Sequence, residues 1–354
     1  MYDLQVLEKA RLDSAILDMP FLEKQRLEVK KIKPFLGLNI LHNIPLTYAT
    51  AFKIEVLALA GANVCVTAPN GFPVEERAVQ LLKSAGFRVD LRPNTTEIFD
   101  IHLDCCAELL KNTSPTLGAV ELTQSGSVIY QTANPDYPVV SVDDSKLKVL
   151  ETFFGTGDGF SRAMQQLVGD DKTAKPFVIF GNGKVGKGIL YVIRKFTDKI
   201  FVIDIKERLA ANSPEVTYID ASDIDAVKNV IKHSYCCITA TGKRHLLTGF
   251  YSFSKADFGD AILVNMGAED EYGDNFAVTD VEFNKQPFNF SLNEPTAFRY
   301  LDPIFYAHNI GINLILSNTV KKAYNAFPDN QAVDILEKWQ AIYQEPLAEA
   351  LLSF

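Results

Sequence analysis

The sequence predicts an α/β protein of two domains, each a parallel sheet with helices on both faces, and three observations carry this expectation. The first is length: 354 residues exceed the usual size of one hydrophobic core. The second is a helix-then-strand unit that occurs twice in succession in the first third of the chain. The third is a strand, glycine turn, helix and strand in series near its middle.

Taken in order, residues 47–60 carry apolar side chains at helical spacing, Gly61 stops that helix, and residues 63–69 (NVCVTAP) read as a buried strand. The unit then repeats: residues 74–85 are helical, Gly86 caps them, and residues 87–91 (FRVDL) form a second strand. Residues 138–143 (PVVSVD) are a further strand candidate. After them Gly155, Gly157 and Gly159 cluster in a stretch that suggests a hinge, and a domain boundary is placed there. A second α/β series runs from Pro176 to about Leu292, and the last sixty or so residues return to helical patterning, with 318–327 and 332–344 as the clearest helices.

The composition is that of an ordinary globular chain, 47% apolar and 22% charged, and the formal charge is −9. Phosphate-backbone binding rests on clustered Lys and Arg, so nucleic acid and acidic membranes are excluded as expected partners. The opening residues MYDLQVLEK break their apolar run with charge, so neither a signal segment nor a spanning helix is read there, and a cytoplasmic location is expected. Five cysteines (Cys65, Cys105, Cys106, Cys236 and Cys237) without C-x-x-C spacing read as reduced, mostly buried thiols, and no metal site is predicted.

Residues 177–180 (FVIF) are a short apolar strand that ends at GNGKVGKG, residues 181–188, followed by a helix over 189–196 and a strand over 199–204. This is the context that a G-x-G-x-x-G match requires. Gly181 permits the tight turn, Gly183 lets a pyrophosphate approach the backbone, and Gly186 lets helix and strand pack closely; the helix N-terminus faces the phosphates. Asn182, Lys184 and Val185 complete the turn. Asp204 ends the second strand at the distance where a carboxylate accepts ribose hydroxyls and repels a 2′-phosphate, so the predicted cofactor is NAD. Lys206 and Arg208 keep NADP open as the alternative.

At this point the chain resembles the S-adenosylhomocysteine hydrolase (adenosylhomocysteinase) family. Residues 138–148 (PVVSVDDSKLK) look like the family's P-V-x-x-V-N-D-S-x-x-K, and GNGKVGKG looks like its G-Y-G-x-V-G-K-G. Weaker colinear matches extend the likeness over most of residues 35–320. The resemblance implies a split substrate domain at 1–155 and 310–354 with a Rossmann domain inserted at 156–309. It further implies tightly held NAD that oxidises a ribose 3′-hydroxyl, assists elimination and hydration, and is then restored. On this implication Lys148, Glu151, His42, Asp104 and His308 are the catalytic candidates. Thr47, Asn70, Cys105 and Glu121 face substrate. Thr123, Thr152, Thr239, Ala240, Thr241 and Asn265 join the glycine turn around the cofactor. A homo-oligomer, dimer or tetramer, is the expected assembly.

The departures from the family pattern concern the substrate. The family's Asp-Asp is Asp104-Cys105 here, its Glu-Glu is Glu121-Leu122, its Asn beside the catalytic acid is Thr152, and its N-I-G-H reads NMGA, ending at Ala268. The sequence stops at Phe354 without the family's Lys- and Tyr-containing tail. Each lost buried partner of a polar ligand group costs about 1–3 kcal/mol, so the expected substrate is S-adenosylhomocysteine or a related hydroxyl-bearing metabolite. Two alternatives stand beside this: a catalytically inactive NAD-binding regulatory homologue, and a simple NAD-dependent dehydrogenase or reductase that consumes its cofactor stoichiometrically.

Overall fold

The structure, a computed structural model, describes residues 2–13, 18–72, 74–91 and 96–351. Twelve strands are named in chain order: β1 (Asn39–Asn43), β2 (Asn63–Thr67), β3 (Arg88–Val89), β4 (Ile101–Asp104), β5 (Gly118–Glu121), β6 (Val139–Ser141), β7 (Phe177–Phe180), β8 (Ile200–Asp204), β9 (Val216–Asp220), β10 (Cys236–Thr239), β11 (Ile262–Asn265) and β12 (Tyr324–Ala326). They form two sheets in two units. An outer unit comprises Met1–Lys148 and Phe298–Glu345, and an inserted unit comprises Val149–Ala297 and Pro346–Phe354.

In the outer unit the strand order is β12-β6-β5-β4-β1-β2-β3 and every pairing is parallel. Chain order therefore runs outward from β1 to β3, then resumes on the other side at β4, which makes the β1/β4 boundary a topological switch point. The helix Tyr48–Leu59 is capped by Thr47 and Thr50 and buries every residue from Thr50 to Ala58. A helix wrapped on all sides forces even its polar positions into the core, and Lys53 and Glu55 are there with almost no exposure.

The inserted unit has the order β11-β10-β7-β8-β9, again all parallel, with its switch point between β7 and β10. Alternation along the strands splits the core in two. Phe177, Ile179, Cys236 and Ile238 join one apolar cluster with the helix Lys184–Ile193, while Val178, Phe180 and Cys237 join another with the helix Ile224–Lys232. Both faces of the sheet are covered, as a parallel sheet requires, and each fully buried Val, Ile or Phe contributes about 1.5–3 kcal/mol.

Three sequence expectations change. Gly155, Gly157 and Gly159 are not a hinge loop: they lie in a π-helix, Leu150–Gly155, that runs into the helix Thr156–Val168. A Cβ on Gly157 would strike the Gly188 carbonyl and one on Gly159 the Pro295 carbonyl, so these glycines allow close backbone packing. Residues 318–327 are not helical either. Asn318 turns left-handed (φ 54°), and the chain then adds β12 beside β6, because the sheet edge offers hydrogen bonds that a short isolated helix lacks. The boundaries between units fall at 148/149 and 297/298, not 155/156 and 309/310, since the helix Phe298–Leu316 is one continuous element. Beyond β11, residues 266–297 contribute only short 3₁₀ turns. Among the described residues no helix is long and apolar enough to cross a membrane.

Candidate functional site

In the inserted unit the glycine turn follows β7 directly. Gly181 adopts φ 108°, and a Cβ there would collide with the Ala240 carbonyl across the switch point. Gly186 packs so tightly that a Cβ would meet the Gly181 carbonyl, which is what brings the helix Lys184–Ile193 onto the strand end. Gly183, by contrast, has open space where its side chain would be, and it caps the helix without any side-chain hydrogen bond. Bare N–H donors and a clear approach are what a pyrophosphate needs. The Asn182 N–H donates to Asp204 Oδ2 at 2.6 Å and the Ile205 N–H to Oδ1 at 2.7 Å; each oxygen keeps a lone pair for a ribose hydroxyl. The Asn182 amide is tied to the Arg208 carbonyl at 2.6 Å. Lys184 and Val185 form the first helical turn. These residues fit NAD.

The remaining cofactor candidates are placed differently from one another. Thr239 and Asn265 are fully buried and are used internally. The Thr239 hydroxyl donates to Asn265 Oδ1 at 3.0 Å, and the Asn265 amide donates to the carbonyls of Gly267, Glu269 and Lys285. They shape the loop after β11. Ala240 and Thr241 follow β10 at the switch point. The backbone N–H and hydroxyl of Thr241 and the N–H of Gly242 all donate to Glu271, a buried acid that burial pushes above its ordinary range. Glu271 is a feature that motif reading missed. Thr152 and Glu151 sit half-buried in the π-helix Leu150–Gly155.

In the outer unit the carboxyl ends of β1, β4 and β5 bring Asn43, Asp104 and Glu121 into register on one face of the sheet. Asp104 is fully buried and accepts four hydrogen bonds: from Asn43 Nδ2 (2.9 Å), Cys105 N (2.8 Å), Leu109 N (3.1 Å) and the Tyr130 hydroxyl (2.8 Å). Glu121 takes the N–H groups of Cys106, Ala107, Leu122 and Thr123 and the Thr123 hydroxyl. Burial pushes both carboxyls up, and the nearby Glu121 adds to the effect on Asp104. Each Asp104 oxygen thus accepts two hydrogen bonds, whereas Glu121 is held mainly through Oε1, with the Ala107 N–H alone on Oε2. In this structure Asp104 and Glu121 are the posts on which the segments 105–109 and 121–126 are hung. Thr123 caps the helix Gln124–Ala133, and Thr47 caps Tyr48–Leu59. Asn70 is exposed and held by the Glu108 carboxylate.

The opposite face of the same strands holds a cluster of nitrogen bases. His42 on β1 has its Nε2 3.2 Å from the Lys53 Nζ, and His308 donates from Nε2 to the Val120 carbonyl at 2.9 Å while its Nδ1 is unpartnered among the described residues. All three side chains are fully buried. Burial holds both imidazoles well below their usual range, helped by the Lys53 charge, and depresses the Lys53 amine as well. His42 and His308 are therefore neutral bases at pH 7. Lys148 lies at the end of the outer unit, 3.3 Å from Asp143 Oδ1 and 3.4 Å from the Leu122 carbonyl. Asp143 is thus a carboxylate on Lys148 that the motifs did not single out. Lys53 escaped them too, since a lysine at helical spacing normally marks a solvated face.

The loop after β4 departs most from expectation. Cys105 is buried, but Cys106 is half-exposed, the only such thiol of the five, and Cys106 and Ala107 are successive left-handed residues (φ 61° and 50°). For non-glycine residues this conformation costs roughly 1–2 kcal/mol each, offset by their N–H bonds to Glu121.

Against this geometry stand the relatives of the chain among known proteins. No family model matches it. It is 28% identical over 258 residues to an adenosylhomocysteinase of Thermococcus kodakarensis, covering 63% of this chain and 58% of that protein, so it spans less than two thirds of that relative's length. It is 26% identical over 295 residues to the adenosylhomocysteinase of Sulfurisphaera tokodaii, 75% of this chain and 69% of that one. An S-inosyl-L-homocysteine hydrolase of Methanopyrus kandleri is 25% identical over 279 residues, 70% and 63% of the two chains. Among solved structures, a dipicolinate synthase chain from Bacillus halodurans aligns at TM-score 0.49 and 10% identity, over 79% of this chain and 99% of that one. The chain is a distant match, at 25–28% identity in these three relatives, to hydrolases of S-nucleosyl-homocysteines.

Proposed function

We propose that the protein is an NAD-dependent hydrolase of the adenosylhomocysteinase type, acting through an internal redox cycle on S-adenosylhomocysteine or a related hydroxyl-bearing metabolite. The observation that carries this reading is the complete dinucleotide turn, from Gly181 to Asp204, in a unit that interrupts in chain order a second unit with its own parallel sheet, where His42 and His308 lie buried. Bound at that turn, NAD supplies a reversible acceptor for hydride. Lys148, kept in place by Asp143, takes the hydroxyl proton and gives it back at the end of the cycle. His42 and His308, neutral through burial, serve as bases for the C–H proton and for water.

The test begins with the purified full chain, denatured to release and quantify bound nucleotide. NAD near one equivalent is expected, together with homocysteine release from S-adenosylhomocysteine or with transient NADH on adding another nucleoside thioether. Lys148→Met should lower turnover by about 10²–10⁴-fold while leaving the NAD content unchanged. A chain that carries no NAD and reduces none with any such substrate sinks the proposal.

A second reading, a catalytically silent NAD-binding regulator, is favoured by the internal hydrogen bonds that occupy Asp104 and by Lys53 on His42. Under it NAD binds at full occupancy, and no hydride moves to or from the cofactor with any nucleoside thioether.

A further inference from the structure

Two pairs of adjacent cysteines occur in this chain, and the backbone treats them oppositely. Cys236 and Cys237 lie on β10, where successive side chains leave opposite faces, so one thiol enters each apolar cluster and both are fully buried. Cys105 and Cys106 stand just past the end of β4, in the left-handed turn, and their sulfurs are 3.8 Å apart. Cys105 is only 1% exposed, whereas Cys106 is half-exposed and receives the Ser125 hydroxyl hydrogen bond at 3.4 Å, beside the first turn of the ten-residue helix Gln124–Ala133.

We propose that Cys105 and Cys106 are a redox-active vicinal dithiol whose co-reactant is a low-molecular-weight disulfide, with Cys106 as the attacking thiol and Cys105 as the resolving one. The Cys106 thiolate attacks one sulfur of R–S–S–R. That bond breaks, R–S⁻ leaves and takes a proton, and Cys106 becomes a mixed disulfide. Cys105 then loses its proton and attacks the Cys106 sulfur, expelling the second R–S⁻, which is also protonated. Two thiols are oxidised to one disulfide, and R–S–S–R is reduced to two R–SH.

The roles follow from position. Only Cys106 is open to an outside disulfide, and only Cys105 is close enough to resolve it. The neighbouring Cys105 thiol and the Ser125 hydroxyl hold the Cys106 thiol down at about 6, so the thiolate predominates at neutral pH; the contact with Cys106 and burial push Cys105 up. A bond between adjacent residues lies outside the usual Cα separation of a disulfide, so it remains readily reducible. Closing it draws the sulfurs together and moves the turn whose Cys106 and Ala107 N–H groups hold Glu121. Oxidation therefore loosens the loops around Glu121, at the carboxyl edge of β4 and β5.

The test is intact-mass analysis of the full native chain treated with glutathione disulfide, with peptide mapping. It does not depend on the NAD reading. The wild type should lose the mass of two hydrogens, regain it with a reductant, and show faster amide exchange at 105–108 and 121–126 when oxidised. Cys105→Ser should stop as a stable glutathione adduct on Cys106, and Cys106→Ser should stay unmodified. The first step should keep nearly the same rate from pH 7 to 8.5, since the thiolate is already formed. A stable adduct on the wild type, modification mapped to Cys65, Cys236 or Cys237, a rate rising about tenfold or more over that pH range, or exchange unchanged on oxidation would overturn the proposal.

Discussion

The two switch points of this molecule solve the same topological problem with different materials. In the inserted unit the switch point between β7 and β10 is made of backbone: glycines without side chains, a helix start without a side-chain cap, and one edge carboxylate. In the outer unit the switch point between β1 and β4 is flanked by buried ionisable side chains, with Asp104 and Glu121 on one face of the sheet and His42, Lys53 and His308 on the other. A backbone site serves one invariant ligand group, the pyrophosphate, and carries little dependence on pH. A site of buried charges depends on every neighbour, so single substitutions re-specify it. The dinucleotide turn keeps its motif, while Cys105 and Leu122 in the outer unit depart from the pattern that the chain resembles.

The largest expected effect tests the backbone site. Gly186→Val puts branched carbon where the Gly181 carbonyl lies, and NAD affinity measured by calorimetry should fall about 100-fold or more, roughly 3 kcal/mol. Amide exchange in the outer unit should be unaltered; if that unit loosens as well, the two sites are not separable. Next, Asp104→Ala strands four buried donors. It should cost the outer unit about 3 kcal/mol in denaturant unfolding and leave NAD affinity intact.

The pH comparison is smaller and its sign is fixed. His102 is fully buried with neither ring nitrogen partnered among the described residues, and burial lowers it to about 4. Between that value and the ordinary 6.5 or so of an unfolded histidine, the unfolded chain binds the extra proton, so stability is lost as pH falls through this window. His102→Leu should recover roughly 2 kcal/mol at pH 5 and nothing from this source at pH 8. An equal change at both pH values would show that packing, not protonation, governs the site. The smallest effect belongs to Lys53→Met, which replaces a buried amine by an apolar chain of similar length. It should raise stability by about 1 kcal/mol and, in histidine nitrogen NMR, shift the His42 Nε2 resonance that now sees the amine. Loss of stability would mean that Lys53 has a counter-charge that the cluster conceals.

The inserted site was legible because its signals are local. β7 coincides with the FVIF run, Gly181, Gly183 and Gly186 each occupy the place their spacing assigns, and Asp204 ends β8. The helix itself begins at Lys184, earlier than its apolar run suggests, because glycines inside the motif are already helical. The outer site was legible only in part. His42 and His308 meet through a helix that arrives more than 180 residues later, as the His308 bond to Val120 measures. No spacing rule reveals that Asp104 is saturated or that Asp143 lies against Lys148 in the outer unit.

What the sequence determined by itself was the alternation of helix and strand and the dinucleotide turn, since both follow from periodicity and from glycine, which act over a few residues. What only the tertiary structure decided was which polar groups are buried and by whom they are satisfied. Lys53 became a core residue because a helix is wrapped on every side, residues 324–326 became a strand because β6 offered an edge, and Cys106 rather than Cys236 or Cys237 became an accessible thiol because one pair lies along a strand and the other in a left-handed turn. Desolvation and hydrogen-bond saturation depend on neighbours distant in the chain, and those neighbours are fixed only when the sheets close.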